Sequence, residues 1–131
     1  MSSLPTSGKW RTIDRRVRRI WALGLLALLI HGLIDPVISY LAIQVFDVAD
    51  ELNPLMAPYF EGSIVDLLLI HIPLFLITIT GLILLTWLFS LGTDSQKQQV
   101  YRLALAVFSL MILWGLVVVV NNLIVLLQGI S

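Results

Sequence analysis

Residues 35–54 read DPVISYLAIQVFDVADELNP and begin inside the first of three long apolar runs in the sequence. The stretch holds most of the polar and acidic residues that the hydrocarbon of a bilayer would reject. We therefore predict that the rest of the chain is a helical scaffold. That scaffold would place this stretch, together with His31 and His71, in the outer half of a membrane.

The composition indicates an integral membrane protein. Of the 131 residues, 59% are hydrophobic and 12% are charged, and the mean hydropathy is +0.99. Soluble domains carry about 25% charged residues, and a soluble core cannot absorb this much apolar surface. The chain has no cysteine, which excludes disulfides, zinc–thiolate sites, iron–sulfur clusters and thiol catalysis.

Three apolar runs exceed the ~20 residues that a helix needs to cross a bilayer. We predict spans at about residues 20–46, 64–91 and 101–127, with a short polar turn over residues 92–100. Asn53-Pro54 is a helix-start signal, since Asn caps and Pro fits the first turn. It predicts a short interfacial helix near residues 55–60. The predicted fold is all-α: a basic segment at residues 1–19 and one transmembrane helical domain over residues 20–131.

The charges are segregated along the chain. Every Lys and Arg lies in the N-terminal segment or near the second loop, and residues 47–63 contain none. The positive-inside rule then predicts a cell-membrane protein with a cytoplasmic N-terminus, an outer acidic loop and an outer C-terminus. A secretory signal is the alternative for the basic start, but the apolar run is too long and lacks a cleavage site. We expect the arginines to contact anionic lipid as a topology anchor, with no nucleic-acid partner.

Polar residues recur at two depths in the first two spans. His31 and His71 reach similar depth by the helical rise, and Asp35 and Asp66 lie nearer the outer face. Both predicted contact faces include small residues, which let membrane helices approach closely. Those faces are Gly24, Leu28, His31 and Asp35 on the first span, and His71, Leu74, Thr78, Gly81 and Leu85 on the second.

For each of these residues, a structural role is the alternative to a functional one. In a purely structural role, Asp35 would pair with His31 or cap a helix that restarts at Pro36. Asp66 would then lie in the first turn of its span because the helix dipole favours a negative charge at that position. Pro36 and Pro73 free the carbonyls four residues earlier, which favours a small hydrated cavity. Near the end of the third span, Asn121 and Asn122 are interpreted as markers of the outer interface.

The pattern Asp35-x-x-x-Ser39-Tyr40, followed by Glu51-x-Asn53-Pro54-Leu55-Met56, resembles a family of small prokaryotic integral membrane proteins of unknown function. The resemblance covers about residues 30–60. It implies a three- or four-helix membrane fold and a site at the membrane Asp and the Glu-x-Asn-Pro element, and it implies no activity. The chain departs from the family pattern at three positions. They are Ser39 in place of Thr, Asp47 near a usual Gly, and His71 where a residue such as Lys is expected.

Four functional hypotheses follow. The first is a non-enzymatic binding, accessory or assembly subunit that contacts other membrane proteins or itself. The second is a divalent-metal site from His31, Asp35, Glu51 and His71, with metal-dependent hydrolysis as an extension. The third is a haem b held between the two histidines. The fourth is an oligomeric channel or transporter subunit with Asp35 and Asp66 on an ion path. We expect Asn53, Pro54 and Asp66 to complete the polar site structurally.

Overall fold

The computed structural model of the protein describes residues 13–50 and 55–131. Within these residues there are four helices and no strand. We name them α1 (Arg15–Val45), α2 (Ala57–Phe60), α3 (Ile64–Leu91) and α4 (Asp94–Gly129). Three of them are long and apolar enough to cross a membrane, and the short α2 follows the first. The predicted all-α fold with three spans is confirmed.

Helix α1 is not uniform along its length. It begins at Arg15, earlier than the predicted span, because the Asp14 side chain caps it by accepting from the Arg16 N–H. Its α-helical part, Arg15–Leu29, widens to a π-helix at Ile30–Ile34. It is α-helical again at Asp35–Tyr40 and widens once more at Leu41–Val45.

Pro36 explains the first widened turn. Proline has no N–H, and in a regular α-helix its ring collides with the carbonyl four residues earlier, here that of Gly32. The wider turn shifts the bonding pattern by one residue, so that the Asp35 N–H bonds the Ile30 carbonyl. The interruption expected at Pro36 is therefore absorbed without ending the helix.

Helix α3 is interrupted where Pro73 was expected to free a carbonyl. Its two α-helical parts, Ile64–Ile70 and Ile72–Leu91, meet at His71, and Pro73 lies in the first turn of the second part. Its start is fixed by a capping box between Ser63 and Asp66.

The expected polar turn over residues 92–100 is wrong for most of its length, because α4 begins at Asp94. A second capping box explains this start. The Thr93 N–H donates to Gln96 Oε1 at 2.8 Å, and the Gln96 N–H donates to Thr93 Oγ1 at 3.4 Å. The 36 residues of α4 give it a length of about 54 Å, so its polar first turns extend past a ~30 Å hydrocarbon core.

The buried core lies at the basic end, where α1 and α4 begin and α3 ends. The Trp21 Nε1–H donates to Thr86 Oγ1 at 2.8 Å, and that hydroxyl donates to the Leu82 carbonyl at 2.8 Å. These polar groups are thus satisfied within an apolar setting, as membrane burial requires. The buried members of the core are Val17, Ile20, Leu82, Phe89, Tyr101 and Ala104.

Arg16 joins the three helices at the same end. Its guanidinium lies 2.9 Å from Asp14 and 3.2 Å from Asp94, and 5.3 Å from the centre of the Phe89 ring. Hydrogen bonds from the Arg16 side chain and N–H hold the pKa of Asp14 below its usual value. One arginine therefore contacts the start of α1, the end of α3 and the start of α4.

Helix α1 packs along both other long helices, whereas α3 and α4 contact each other little. Three glycines mark its closest approaches. An added Cβ would lie 2.8 Å from Leu82 at Gly24, 2.9 Å from Phe75 at Gly32, and 2.6 Å from Ile30 at Gly115. Small residues thus bring α1 close to its neighbours, as expected for membrane helices.

The predicted contact at Gly81 is wrong. Nothing lies within 4 Å of a Cβ added at Gly81, and the residue is exposed. The side chains of α3 that pack against the other helices are Phe75, Leu82 and Phe89. The predicted contact face therefore lies on a different side of the helix from the observed one.

We expect Gly115→Ala to destabilise the protein by about 1–3 kcal/mol, because overpacking a tight interface forces side chains or backbone to shift. The added methyl would meet Ile30 Cγ2 at 2.6 Å and His31 Nε2 at 2.8 Å. Thermal unfolding in a mild detergent measures the change. Gly81→Ala is the matched control, with unchanged or raised stability expected, since Ala favours helix over Gly. Equal effects of both substitutions would contradict this packing.

Candidate functional site at the acidic end

A hydrogen-bonded polar cluster joins α1 and α4 near the ends of both helices. This part of the protein lies opposite to the basic end, and we call it the acidic end. The α-helical part Asp35–Tyr40 places Asp35 and Ser39 one turn apart on one face of α1. Asn122 of α4 donates from Nδ2 to Asp35 Oδ1 at 2.8 Å and to Ser39 Oγ at 3.1 Å. All three side chains belong to partly buried residues. Asp35 is therefore partnered by the third span, and Asn122 does more than mark the interface.

A cavity of about 360 Å³ opens beside this cluster. Its lining residues come from α1, the loop after it and α4: Ser39, Ala42, Ile43, Ala49, Asp50, Asn121, Asn122 and Val125. A second cavity of about 260 Å³ shares Ile43, Ala49 and Asp50 with the first. It adds Asp47 and Glu61, so the two cavities form one acidic surface.

The end of α1 folds the chain back over this cavity. The Phe46 N–H bonds the Leu41 carbonyl at 3.0 Å, and the Val48 N–H bonds the Ala42 carbonyl at 2.9 Å. Between them Asp47 adopts a left-handed conformation with φ 52°, which Asp tolerates better than most residues. Val48 then contacts Gly129 at the end of α4. The turn carries Ala49 and Asp50 to the mouth of the cavity.

His31 is directed toward α4. Its Nε2 lies 2.9 Å from the Met111 carbonyl oxygen, and its ring lies against Gly115. Because a carbonyl oxygen only accepts, Nε2 of His31 is the donor in this bond, and Nδ1 is the ring nitrogen that takes no part in it. The predicted contact faces of the first two spans include His31 and His71, but His31 contacts the third span instead.

His71 repairs the interruption in its own helix. Its N–H bonds the Leu68 carbonyl at 3.1 Å, three residues back, and this tighter turn leaves the Leu67 carbonyl without its usual backbone donor. The imidazole replaces that donor, because Nδ1 lies 2.8 Å from the Leu67 oxygen. An unsatisfied carbonyl is costly in a membrane, so this bond gives His71 a structural role.

Asp66 also has a structural role. Its carboxylate accepts from the Ser63 N–H at 3.0 Å and from the Ser63 hydroxyl at 2.7 Å. The Asp66 N–H donates back to Ser63 Oγ at 3.3 Å. This capping box agrees with the prediction of a structural part for Asp66, and it fixes where α3 begins.

The predicted metal ligands are distributed over different contacts. His31 bonds α4, Asp35 bonds Asn122, and His71 bonds its own helix. Glu51, Asn53 and Pro54 lie outside the described residues. Over residues 13–50 and 55–131, no group of three or more His, Cys, Asp or Glu side chains could hold a metal ion. The metal and haem hypotheses stay predictions without a supporting contact.

No protein-family model, curated protein or solved structure matches this chain. The resemblance of the pattern from Asp35 to Met56 to a family of small prokaryotic membrane proteins therefore stays a prediction. Function has to be argued from the geometry of the chain itself.

We expect Asn122→Val to destabilise the protein by about 1 kcal/mol, since hydrogen bonds between membrane helices contribute about this much. The substitution removes both bonds that tie α4 to Asp35 and Ser39. Asn121→Val, at the exposed neighbouring position, is the control and should cost less than half as much. Unfolding in detergent with increasing denaturant measures both. A larger loss from the control would show that the cluster does not join the helices.

Proposed function

We propose that this chain is a multi-pass protein of the cell membrane that acts as a non-enzymatic binding or accessory subunit. The observation that carries the proposal is the cluster of Asp35, Ser39 and Asn122 beside the cavity of about 360 Å³. Interhelical bonds hold the wall of this cavity, so a partner would meet a preformed site. Preformed sites bind with a smaller entropic cost than flexible ones.

The chemistry of the cavity favours a partner that brings hydrogen-bond donors or positive charge. Asp50, Asn121 and Ser39 line it, and Asp47 and Glu61 lie in the adjoining cavity. The sequence has no Lys or Arg between Arg19 and Lys97, so no cation of this chain's central part competes for these acceptors. A membrane protein that presents basic or amide side chains near the bilayer surface fits this requirement.

The orientation follows from the opposite charges of the two ends. Arg16 and Lys97 both lie over Phe89, at 5.3 and 5.9 Å from the ring centre, so the basic starts of α1 and α4 share one end. The acidic cavities lie at the other end. The positive-inside rule places the basic end in the cytoplasm and the acidic end outside.

Single cysteines test the orientation, because the natural chain contains none. Glu61→Cys lies at the acidic end and Ser95→Cys at the basic end, and both positions are exposed. We expect a membrane-impermeant maleimide to label Glu61→Cys in intact cells. Ser95→Cys should be labelled only after the cells have been permeabilised. Labelling of Ser95→Cys in intact cells, with Glu61→Cys protected, would reverse the proposed orientation.

Photo-crosslinking in cells tests the binding role. A diazirine amino acid in place of Ala49 or Asn121 lies at the acidic cavity, whereas Leu110 is exposed on the apolar surface of α4. We expect one protein adduct of the same mass from both cavity positions and none of that mass from position 110. No adduct from the cavity positions, or the same adduct from all three, would count against a partner at this site.

A further inference from the structure

A basic groove lies on α1 at the end opposite to the candidate partner site. It is an open depression of about 360 Å³, lined by Arg15, Arg18, Arg19 and Ala22. Spacings of three and four residues place these side chains on one face of a helix. The three arginines are exposed, so the groove opens to the surroundings of the protein.

Arg16 lies outside this groove. Its guanidinium contacts Asp14, Asp94 and the Phe89 ring instead. The start of α1 thus divides its arginines into two groups. Arg16 forms ion pairs with both acids at this end, whereas the groove arginines take no part in those ion pairs.

Among residues 13–50 and 55–131, no acidic side chain forms an ion pair with the groove arginines. Asp14 and Asp94, the acids at this end, both pair with Arg16. The other six of the eight Asp and Glu residues all lie between residues 35 and 66, and residues 1–12 contain none. The groove is therefore open to a counterion from outside the protein.

A hydrogen bond to α4 holds one side chain of the groove in place, and the groove changes from charged to apolar along the helix. The Arg19 guanidinium donates to the Tyr101 hydroxyl of α4 at 3.1 Å, which holds it while leaving other N–H groups available to an anion. Ala22 forms the apolar side of the groove. From Arg15 to Ala22 the helix rises about 10 Å, a distance that matches the passage from lipid headgroups to hydrocarbon.

We propose that this groove binds the phosphate headgroup of an anionic phospholipid. Guanidinium groups pair with phosphate oxygens through two parallel hydrogen bonds, and basic residues beside a membrane span attract anionic lipids. The acyl chains of that lipid would pass Ala22 toward the hydrocarbon. The lipid site lies at the opposite end from the acidic cavity, so this proposal does not depend on which partner the cavity binds.

The test uses the full chain in a mild non-ionic detergent with phosphatidylglycerol or phosphatidylcholine added, and native mass spectrometry counts the bound lipid. We expect preferential binding of one phosphatidylglycerol. Arg15→Gln/Arg18→Gln should weaken it about 25-fold, since each basic residue near an anionic surface contributes about a fivefold factor. Lys97→Gln/Arg102→Gln removes the same charge at the same end outside the groove, and it should change binding less than threefold.

Two further arms keep the assignment specific. Arg15→Lys/Arg18→Lys retains the charge but not the paired hydrogen bonds, so it should recover part of the binding, which a misfolded variant could not do. Equal binding of the two lipids, or equal losses in the two Gln double variants, would overturn the site. Displacement of phosphatidylglycerol by millimolar inorganic phosphate would overturn the lipid as the occupant.

Discussion

The acidic end depends on one amide group of the last helix. Asn122 donates to both Asp35 and Ser39, and these bonds supply partners that lipid cannot provide. They fix the rotation of α4 relative to α1 at this end, where the buried apolar core of the basic end does not reach. Because Ser39 and Asn122 also line the cavity, the contact that joins the helices shapes the candidate site.

A second constraint explains why Asp35 faces α4. Each proline removes a backbone donor, and the helix departs from regular α geometry in a different way beside each of them. Around Pro36 the turns widen, which rotates the following α-helical part and directs Asp35 toward Asn122. Before Pro73 the turn tightens, and the His71 imidazole bonds the carbonyl left without its donor. His71, which the sequence predicts to be a metal ligand, is thus a hydrogen-bond donor to the backbone of its own helix.

The sequence predicts the spans, the short helix and the segregated charges because hydropathy and charge are local properties. It does not predict which faces meet, since that depends on how each helix rotates. Gly81 and Gly115 illustrate this: both are small residues in apolar spans, yet α1 contacts Gly115 and leaves Gly81 open. The partner of Asp35 was missed for the same reason. The early start of α4 was readable, because Thr93 and Gln96 have capping-box spacing.

The two proposed binding surfaces lie at opposite ends of the protein. Along their length, α3 and α4 expose mainly apolar side chains, including Trp87 and Trp114, and such a surface distinguishes poorly between lipid and another apolar helix. The ends differ in sign and in chemistry. Acceptors collect around Asp50 and Asn121, whereas the guanidinium groups of the basic groove collect around Arg18. The proposed protein partner and the proposed phospholipid would therefore bind at separate places on the chain, and binding at one would leave the other open.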